Sequence, residues 1–334
     1  MSHNLGFRTF LAAMLAALAF NGSTVLAETV APLPPGPYPV GCTSVEQDFS
    51  RLAPGESPQQ YWEGIPAADG RPRYVTDLLT GAGTATPVIG FGVADDGEMF
   101  GKLAGKTYSV ALIICYPTTA ANNRAPYSLP NGVNVPAMQR GAQTPLLAMG
   151  QARWPLLEFS HGLAGSPLDA DYMYAIQLFA SNGYIVMAPF HADARVVEVS
   201  LDDLGDVLHA IADFPDYTAM QAIRPLSLKY ALDYMLSDPF WSAHADADRI
   251  AGFGASLGGE AVLLQAGAAL TVSVGLSSRQ VLVDDRLKSV ATYVPYFGQV
   301  LFPAFGRDQA RGGTFNKVLP SEATRDSSYS LTKR

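Results

Sequence analysis

One serine of this sequence has neighbours whose types and spacing would suit a nucleophile. Residues 252–260 read GFGASLGGE, which places Ser256 between Gly254 and Gly258. The G-x-S-x-G spacing is typical of a sharp turn from a strand into a helix, and such a turn exposes the serine hydroxyl. The two glycines would remove side chains that the turn has no room for. The pattern therefore favours nucleophilic attack by Ser256 on a carbonyl carbon.

The elements around Ser256 are those that the turn requires. The pattern predicts a buried strand over residues 249–253 and a helix from Leu257 to Leu270. The backbone N–H of Leu257 would lie at the N-terminus of that helix, where it could donate a hydrogen bond to an oxyanion. The context of the motif therefore supports its chemical interpretation.

A second motif follows an earlier predicted strand. Residues 154–159 are mostly apolar, and the chain continues with Ser160, His161, Gly162 and Leu163. In proteins with such a serine turn, the loop after an earlier strand supplies a second backbone N–H that donates to the oxyanion. We expect the N–H of Leu163 to be this second donor. His161 is expected to hold the loop by hydrogen bonding rather than to transfer protons.

The wider pattern predicts the sheet that would position these motifs. Apolar strands without polar alternation are separated by helical segments, which indicates a parallel sheet covered on both faces. The predicted fold class is therefore α/β, with a mostly parallel and doubly wound sheet. The predicted strands are 108–115, 154–159, 184–188, 249–253 and 288–294, and the predicted helices are 172–180, two within 201–237, and 257–270.

Three segments of the chain resemble the α/β-hydrolase superfamily: Phe159–Leu163, Leu178–Asp193 and Gly254–Gly259. The resemblance covers roughly residues 105–305 and is nearest to platelet-activating-factor acetylhydrolase-like and dienelactone-hydrolase-like esterases. It implies the α/β-hydrolase fold and a serine esterase that acts on a small-molecule ester through an acyl-enzyme. Ser256 would be the nucleophile, and the amides of Leu163 and Leu257 would form the oxyanion hole. Dienelactone hydrolases proper have cysteine as nucleophile, so serine favours the esterase branch.

The proton acceptor for Ser256 is the unusual part of the pattern. In this fold the acid and the histidine follow the nucleophile along the chain, but here all the histidines precede Ser256. His191 follows the strand 184–188 and would lie at the same edge of the sheet, with Asp193 close enough to orient it. These two residues, and His161, are interpreted as a base with its partner or as pocket residues. The histidines are His3, His161, His191, His209 and His244.

The end of the chain differs from the rest. Residues 311–334 are poor in apolar residues, have no clear periodicity and end in basic residues. They lack the strand-helix-strand unit that would carry the acid and the histidine, so the C-terminal strands are expected to be missing and the tail to be disordered. Three interpretations stay open: a truncated or frameshifted hydrolase, a domain that binds without catalysing, or an upstream histidine that serves as base.

The N-terminal residues predict export. A head with Arg8, an apolar run over residues 10–20 and the small-residue end at Ala27 form a secretory signal peptide over residues 1–27. Residues 28–104 are interpreted as a Pro/Gly-rich extension, without helices before about residue 60, followed by the first strands. Residues 105–310 would form the hydrolase domain. We expect the mature protein in the periplasm or outside the cell.

Composition and cysteines agree with an exported globular protein. Hydrophobic residues make up 48% of the chain, and its net charge is −8 without basic clusters, so nucleic acid is not an expected partner. Beyond the signal peptide no segment is apolar enough to span a membrane. Cys42 and Cys115 are expected to form a disulfide, because export exposes them to an oxidising compartment. No ligand cluster or phosphate-binding loop indicates a metal or a cofactor.

Overall fold

The computed structural model describes residues 34–141, 143–197, 214–272 and 277–296. The predictions for the signal peptide, for the tail and for the first helix within 201–237 fall outside these residues. The expectation that C-terminal strands are missing is not tested either, because the described residues end at 296.

A mixed sheet forms the centre of the described structure, with seven strands in the order β1-β3-β7-β6-β8-β11, and with β2 also paired to β3. Strands β7, β6, β8 and β11 are parallel, whereas β3 runs antiparallel to β1, β2 and β7. The prediction of a mostly parallel α/β sheet is confirmed. The strands are β1 Val40–Cys42, β2 Val88–Gly92, β3 Thr107–Pro117, β4 Tyr127–Ser128, β5 Asn134–Val135, β6 Trp154–Ser160, β7 Ile185–Pro189, β8 Ala245–Ala255, β9 Ala269–Val272, β10 Ser277–Gln280 and β11 Ser289–Tyr293.

The helices cover both faces of this sheet. Alternate residues of β3 belong to two separate cores. Leu112 and Ile114 share one core with residues of α4 (Phe214–Ser237) and α6 (Leu257–Gln265). Ile113 and Cys115 share the other core with residues of α3 (Ala170–Ser181). Because both faces are buried in β3, β6 and β7, these strands are mostly apolar along their length, whereas β11 alternates buried and exposed residues. In the described part of the chain the α-helices are α1 Pro58–Glu63, α2 Gly97–Phe100, α3 Ala170–Ser181, α4 Phe214–Ser237, α5 Pro239–His244 and α6 Leu257–Gln265. None of these helices is both long and apolar enough to cross a membrane.

Two local predictions are wrong. Helix α6 ends at Gln265 instead of Leu270, because Gly267 has a φ of +107° that reverses the chain into β9. Strand β9 then pairs with β10 in an antiparallel hairpin. The N-terminal extension also contains helix: a 3₁₀ turn over Phe49–Arg51, and α1, which begins with proline after Ser57.

The extension is covalently joined to the sheet. Strand β1 pairs with β3 so that Cys42 lies opposite Cys115, and the two residues form a disulfide bond across 73 positions of sequence. The predicted pairing is confirmed. The bond closes a long loop and thereby restricts the unfolded chain.

The side chain of Glu158 on β6 carries a buried carboxyl group that contacts Gln265 at the end of α6. Glu158 has no exposed surface, and its Oε1 accepts a hydrogen bond of 3.2 Å from Gln265 Nε2. Glu158 Oε2 and Gln265 Oε1 have no other partner in the described residues. Burial raises the pKa of Glu158 well above its ordinary value; the bond from Gln265 opposes this rise and the charge of Asp284 adds to it. The raised pKa favours a protonated Glu158, which would give its carboxyl group a donor of its own beside the bond that it accepts from Gln265.

Replacing Glu158 by glutamine is expected to stabilise the protein at neutral pH by about 1–3 kcal/mol. Unfolded Glu158 ionises above about pH 4, whereas the folded protein must keep its proton. Its contribution to stability is therefore complete at low pH and is lost as pH rises towards the folded pKa. Glutamine has nearly the same shape, can accept the same hydrogen bond from Gln265 Nε2 and has no proton to lose.

Urea unfolding of both proteins between about pH 4 and pH 8 measures this effect. The free energies of unfolding should separate progressively as pH rises. Glu98→Gln is the control, because that side chain is exposed. A separation that does not change with pH would contradict a protonated Glu158.

Candidate active site

Ser256 forms the turn between β8 and α6, and its backbone is strained. Its φ of +52° and ψ of −121° are rare for a residue with a side chain. Hydrogen bonds hold this conformation: the N–H of Ser256 donates to the carbonyl of Tyr293 at 3.0 Å, and its carbonyl accepts from the N–H of Tyr296 at 2.9 Å. The residue itself is exposed. The turn therefore presents the hydroxyl to solvent, as the G-x-S-x-G spacing predicts.

The two flanking glycines are sterically required. A β-carbon on Gly254 would lie 2.1 Å from the carbonyl oxygen of Gly258, and one on Gly258 would lie 2.0 Å from the carbonyl oxygen of Ser160. Both distances are far inside van der Waals contact. Glycine at these positions lets the first turn of α6 pack against the ends of β8 and β6.

Backbone strain is concentrated at one edge of the sheet. Four of the five described non-glycine residues with positive φ come directly after, or within four residues of, the carboxyl ends of β6, β7, β8 and β11. Strain of this kind persists where the surrounding structure holds it, and it is commonly found at functional sites. The four residues are Ala164, Ala192, Ser256 and Val294.

The loop after β6 lies beside Ser256. Strands β7 and β8 flank β6 on opposite sides, so the chain changes direction there, and crevices at such points commonly bind ligands. A β-carbon on Gly162 would lie 3.5 Å from Ser256 Cβ. The two motifs that the sequence singles out therefore meet at this edge of the sheet.

Two backbone N–H groups remain available at this place. Within the described residues, neither the N–H of Leu163 nor that of Leu257 is hydrogen bonded to a protein acceptor. The intervening N–H of Gly162 is not free, because it donates to Tyr172 Oη at 3.0 Å. The free amides are the pair that the resemblance names as oxyanion donors.

Arg224, which the sequence analysis did not single out, holds the loop after β6. This fully buried residue of α4 donates from Nη1 to the carbonyl of His161 at 2.6 Å and from Nη2 to that of Gly162 at 3.0 Å. In a trans peptide the carbonyl and the following N–H point in opposite directions. With the Gly162 carbonyl on Arg224, the N–H of Leu163 points away from the guanidinium. An arginine in a buried helix was the signal that could have identified it.

His161 supports the same loop as a neutral side chain. Its Nε2 accepts from the N–H of His191 at 3.2 Å, so the ring proton is on Nδ1, which donates to the carbonyl of Gly162 at 2.8 Å. Burial lowers the pKa of His161 to about 3, and the charge of Arg224 contributes to the shift. The ring thus holds the loop by hydrogen bonds, as expected for this residue.

His191 and Asp193 do not form the predicted pair. His191 Nε2 is bonded to Ser160 Oγ at 2.8 Å, and its Nδ1 has no partner among the described residues. Asp193 Oδ1 instead accepts from Arg224 Nε at 2.7 Å, and the second carboxylate oxygen also contacts that guanidinium. Of the two interpretations of His191, the one in which Asp193 orients it as a base is therefore wrong. An arginine distant in sequence offers Asp193 a charge-assisted, two-point contact that an imidazole cannot match.

The histidines that the structure describes are all engaged away from Ser256. Burial lowers the pKa of His191 well below its ordinary value, with Arg224 and His161 adding to the effect. His244 ends α5, where its Nδ1 donates to the carbonyl of Phe240 at 2.7 Å. His3 and His209 lie outside the described residues. Across the described ranges, no group of three or more His, Cys, Asp or Glu is arranged to hold a metal ion.

Comparison with known proteins gives remote structural likenesses. No protein-family model and no curated protein matches the chain. A ferulic acid esterase from Streptomyces cinnamoneus matches at 19% identity over 52% of this chain and 53% of its own, with a TM-score of 0.32. A putative dienelactone hydrolase from Klebsiella pneumoniae matches at 12% over 71% and 70%, with a TM-score of 0.34. The chain spans about half the length of the ferulic acid esterase.

The fold assignment rests on the geometry of this chain. The parallel strands β7, β6, β8 and β11 carry helices on both faces, and a strained serine turn joins β8 to α6 at their carboxyl edge. The loop after β6 lies beside that serine, and the N–H of Leu163 in this loop has no protein acceptor among the described residues. This arrangement is the α/β-hydrolase fold.

Proposed function

We propose that this chain is a serine hydrolase that cleaves carboxylic esters of small molecules through an acyl-enzyme on Ser256. The observation that carries the proposal is the exposed, strained Ser256 turn beside the free N–H groups of Leu163 and Leu257. A strained backbone is commonly retained at functional sites, and this one exposes the serine hydroxyl. Backbone N–H groups that are already in place can stabilise the negative charge that develops on the carbonyl oxygen when the hydroxyl attacks.

In this mechanism Ser256 Oγ bonds to the ester carbonyl carbon, and its proton passes to a general base. The carbonyl oxygen becomes an oxyanion, which the amides of Leu163 and Leu257 stabilise. The bond from carbon to the alkoxy oxygen then breaks, and the alcohol leaves with the proton. Water attacks the acyl-enzyme, releases the carboxylic acid and restores Ser256.

The proposed location is the periplasm or the exterior of the cell. The N-terminal pattern of a signal peptide supports export. The disulfide between Cys42 and Cys115 also supports it, because such bonds persist in oxidising compartments.

Labelling with a fluorophosphonate, followed by peptide mass mapping, tests the nucleophile. We expect one adduct, on Ser256. Ser160 is an internal control, because it also lies near a histidine but is completely buried. An adduct on Ser160, or none on Ser256, would contradict the proposal. Hydrolysis of p-nitrophenyl acetate by the same preparation shows whether the acyl-enzyme turns over.

A domain that binds esters without cleaving them is the second candidate. It is favoured by the engagement of His161 and His191 with groups other than Ser256. In that case p-nitrophenyl acetate would not be hydrolysed, whereas a non-hydrolysable phosphonate ester would still raise the unfolding temperature through the oxyanion amides. Hydrolysis of p-nitrophenyl acetate therefore separates the two functions, because both would bind the phosphonate.

A further inference from the structure

Tyr172 places a hydroxyl group beside the nucleophile. A β-carbon built on Gly162 would lie 2.5 Å from Tyr172 Oη and 3.5 Å from Ser256 Cβ. The phenol oxygen and the Ser256 side chain therefore border the same small space next to Gly162. No motif in the sequence pointed to this residue.

The hydrogen bonds leave the phenol proton available. Tyr172 Oη accepts the N–H of Gly162 at 3.0 Å, and among the described residues no acceptor receives its O–H. A phenol oxygen that accepts one hydrogen bond becomes a better donor through its own proton. The hydroxyl of this half-buried residue is thus available to donate to a group bound at Ser256.

The ring is held in place by close packing. Its centroid lies 5.9 Å from that of Phe159 and 6.1 Å from that of His161. A β-carbon on Gly165 would lie only 2.8 Å from Tyr172 Cε2, so the loop fits closely against the ring. A donor whose position is fixed before the reaction loses little freedom when charge develops.

We propose that the Tyr172 hydroxyl is a third donor to the oxyanion, beside the amides of Leu163 and Leu257. This inference rests on the proposed function. When Ser256 Oγ bonds to the carbonyl carbon, the electron pair of the carbonyl double bond moves to oxygen, and Tyr172 donates a hydrogen bond to it. The Ser256 proton passes to the general base, and the Tyr172 proton stays on the phenol oxygen throughout.

Tyr172→Phe tests the role, because it keeps the ring and removes only the hydroxyl. We expect kcat for p-nitrophenyl acetate to fall by about 10- to 100-fold with little change in KM. The affinity for a boronic acid, which forms a tetrahedral adduct with Ser256, should fall by a similar factor. Tyr174→Phe is the matched control: this tyrosine of the same helix is 56% exposed, and its variant should keep full activity.

A purely structural role would lower the unfolding temperature and would not weaken boronic acid binding in step with kcat, and that result would overturn the inference. An active wild type with an equally active Tyr172→Phe variant would overturn the inference and leave the proposed function standing. A wild type that shows neither labelling nor hydrolysis at Ser256 would overturn both.

Discussion

Substitution of Ser256 by alanine is expected to lower kcat/KM for p-nitrophenyl acetate at least about 10³-fold. Without its oxygen, the turn has no atom to bond to the carbonyl carbon, whereas the proposed oxyanion donors, the amides of Leu163 and Leu257, remain. Binding of a non-hydrolysable phosphonate should therefore persist. Equal activity of variant and wild type would contradict the role of Ser256.

Variants of Ser256 should also show that the strained backbone of this turn lowers the free energy of unfolding. Because φ is +52° and ψ is −121°, glycine fits Ser256's backbone better than alanine does. We expect Ser256→Gly to be more stable than Ser256→Ala by about 1 kcal/mol, since relief of strain exceeds the added entropy of the unfolded chain. At Ser160, which lies in an ordinary strand, the order should reverse.

Urea unfolding of the four variants compares the two positions directly. Each pair differs only in the β-carbon, so the loss of the hydroxyl cancels within a pair. If glycine were less stable than alanine at both positions, the strain at Ser256 would be negligible.

Replacing Arg224 by methionine is expected to lower the free energy of unfolding by about 3–5 kcal/mol. The variant leaves the buried Asp193 without its partner, frees the carbonyl of His161 and removes one of the two donors to the carbonyl of Gly162. Any catalysis should also fall, because the Leu163 amide is held less firmly in one direction. Urea unfolding and p-nitrophenyl acetate hydrolysis measure the two effects.

Two further variants identify the cause. Arg249→Met also removes an arginine from an ion pair, but this arginine is half exposed, so we expect a loss of less than about 1 kcal/mol. Adding Asp193→Asn to Arg224→Met removes the unpaired charge and should restore part of the stability. If this double variant regained nothing, the charge of Asp193 would not be the cause.

The central sheet could be predicted because its signal is local. Short, mostly apolar runs such as 154–159 and 249–253, separated by helical segments, favour buried strands of a parallel sheet, and both lie in the sheet. The end of α6 could not be predicted in the same way. Buried helix and buried strand have the same apolar composition, so residues 266–270 gave no indication that the chain turns at Gly267 and begins β9.

The sequence by itself determined the serine turn and the cysteine pairing of this protein. Both depend on residue types that leave few alternatives: glycines beside Ser256, and two cysteines in a chain whose N-terminal pattern predicts export. Only the tertiary structure decided the partners of the polar groups. Arg224 lies 31 residues from Asp193 and 63 from His161, and His191 lies 31 from Ser160. Contacts over such separations have no local pattern. The packing of α4 against the sheet brings Arg224 to Asp193 and His161, and the pairing of β6 with β7 brings His191 to Ser160.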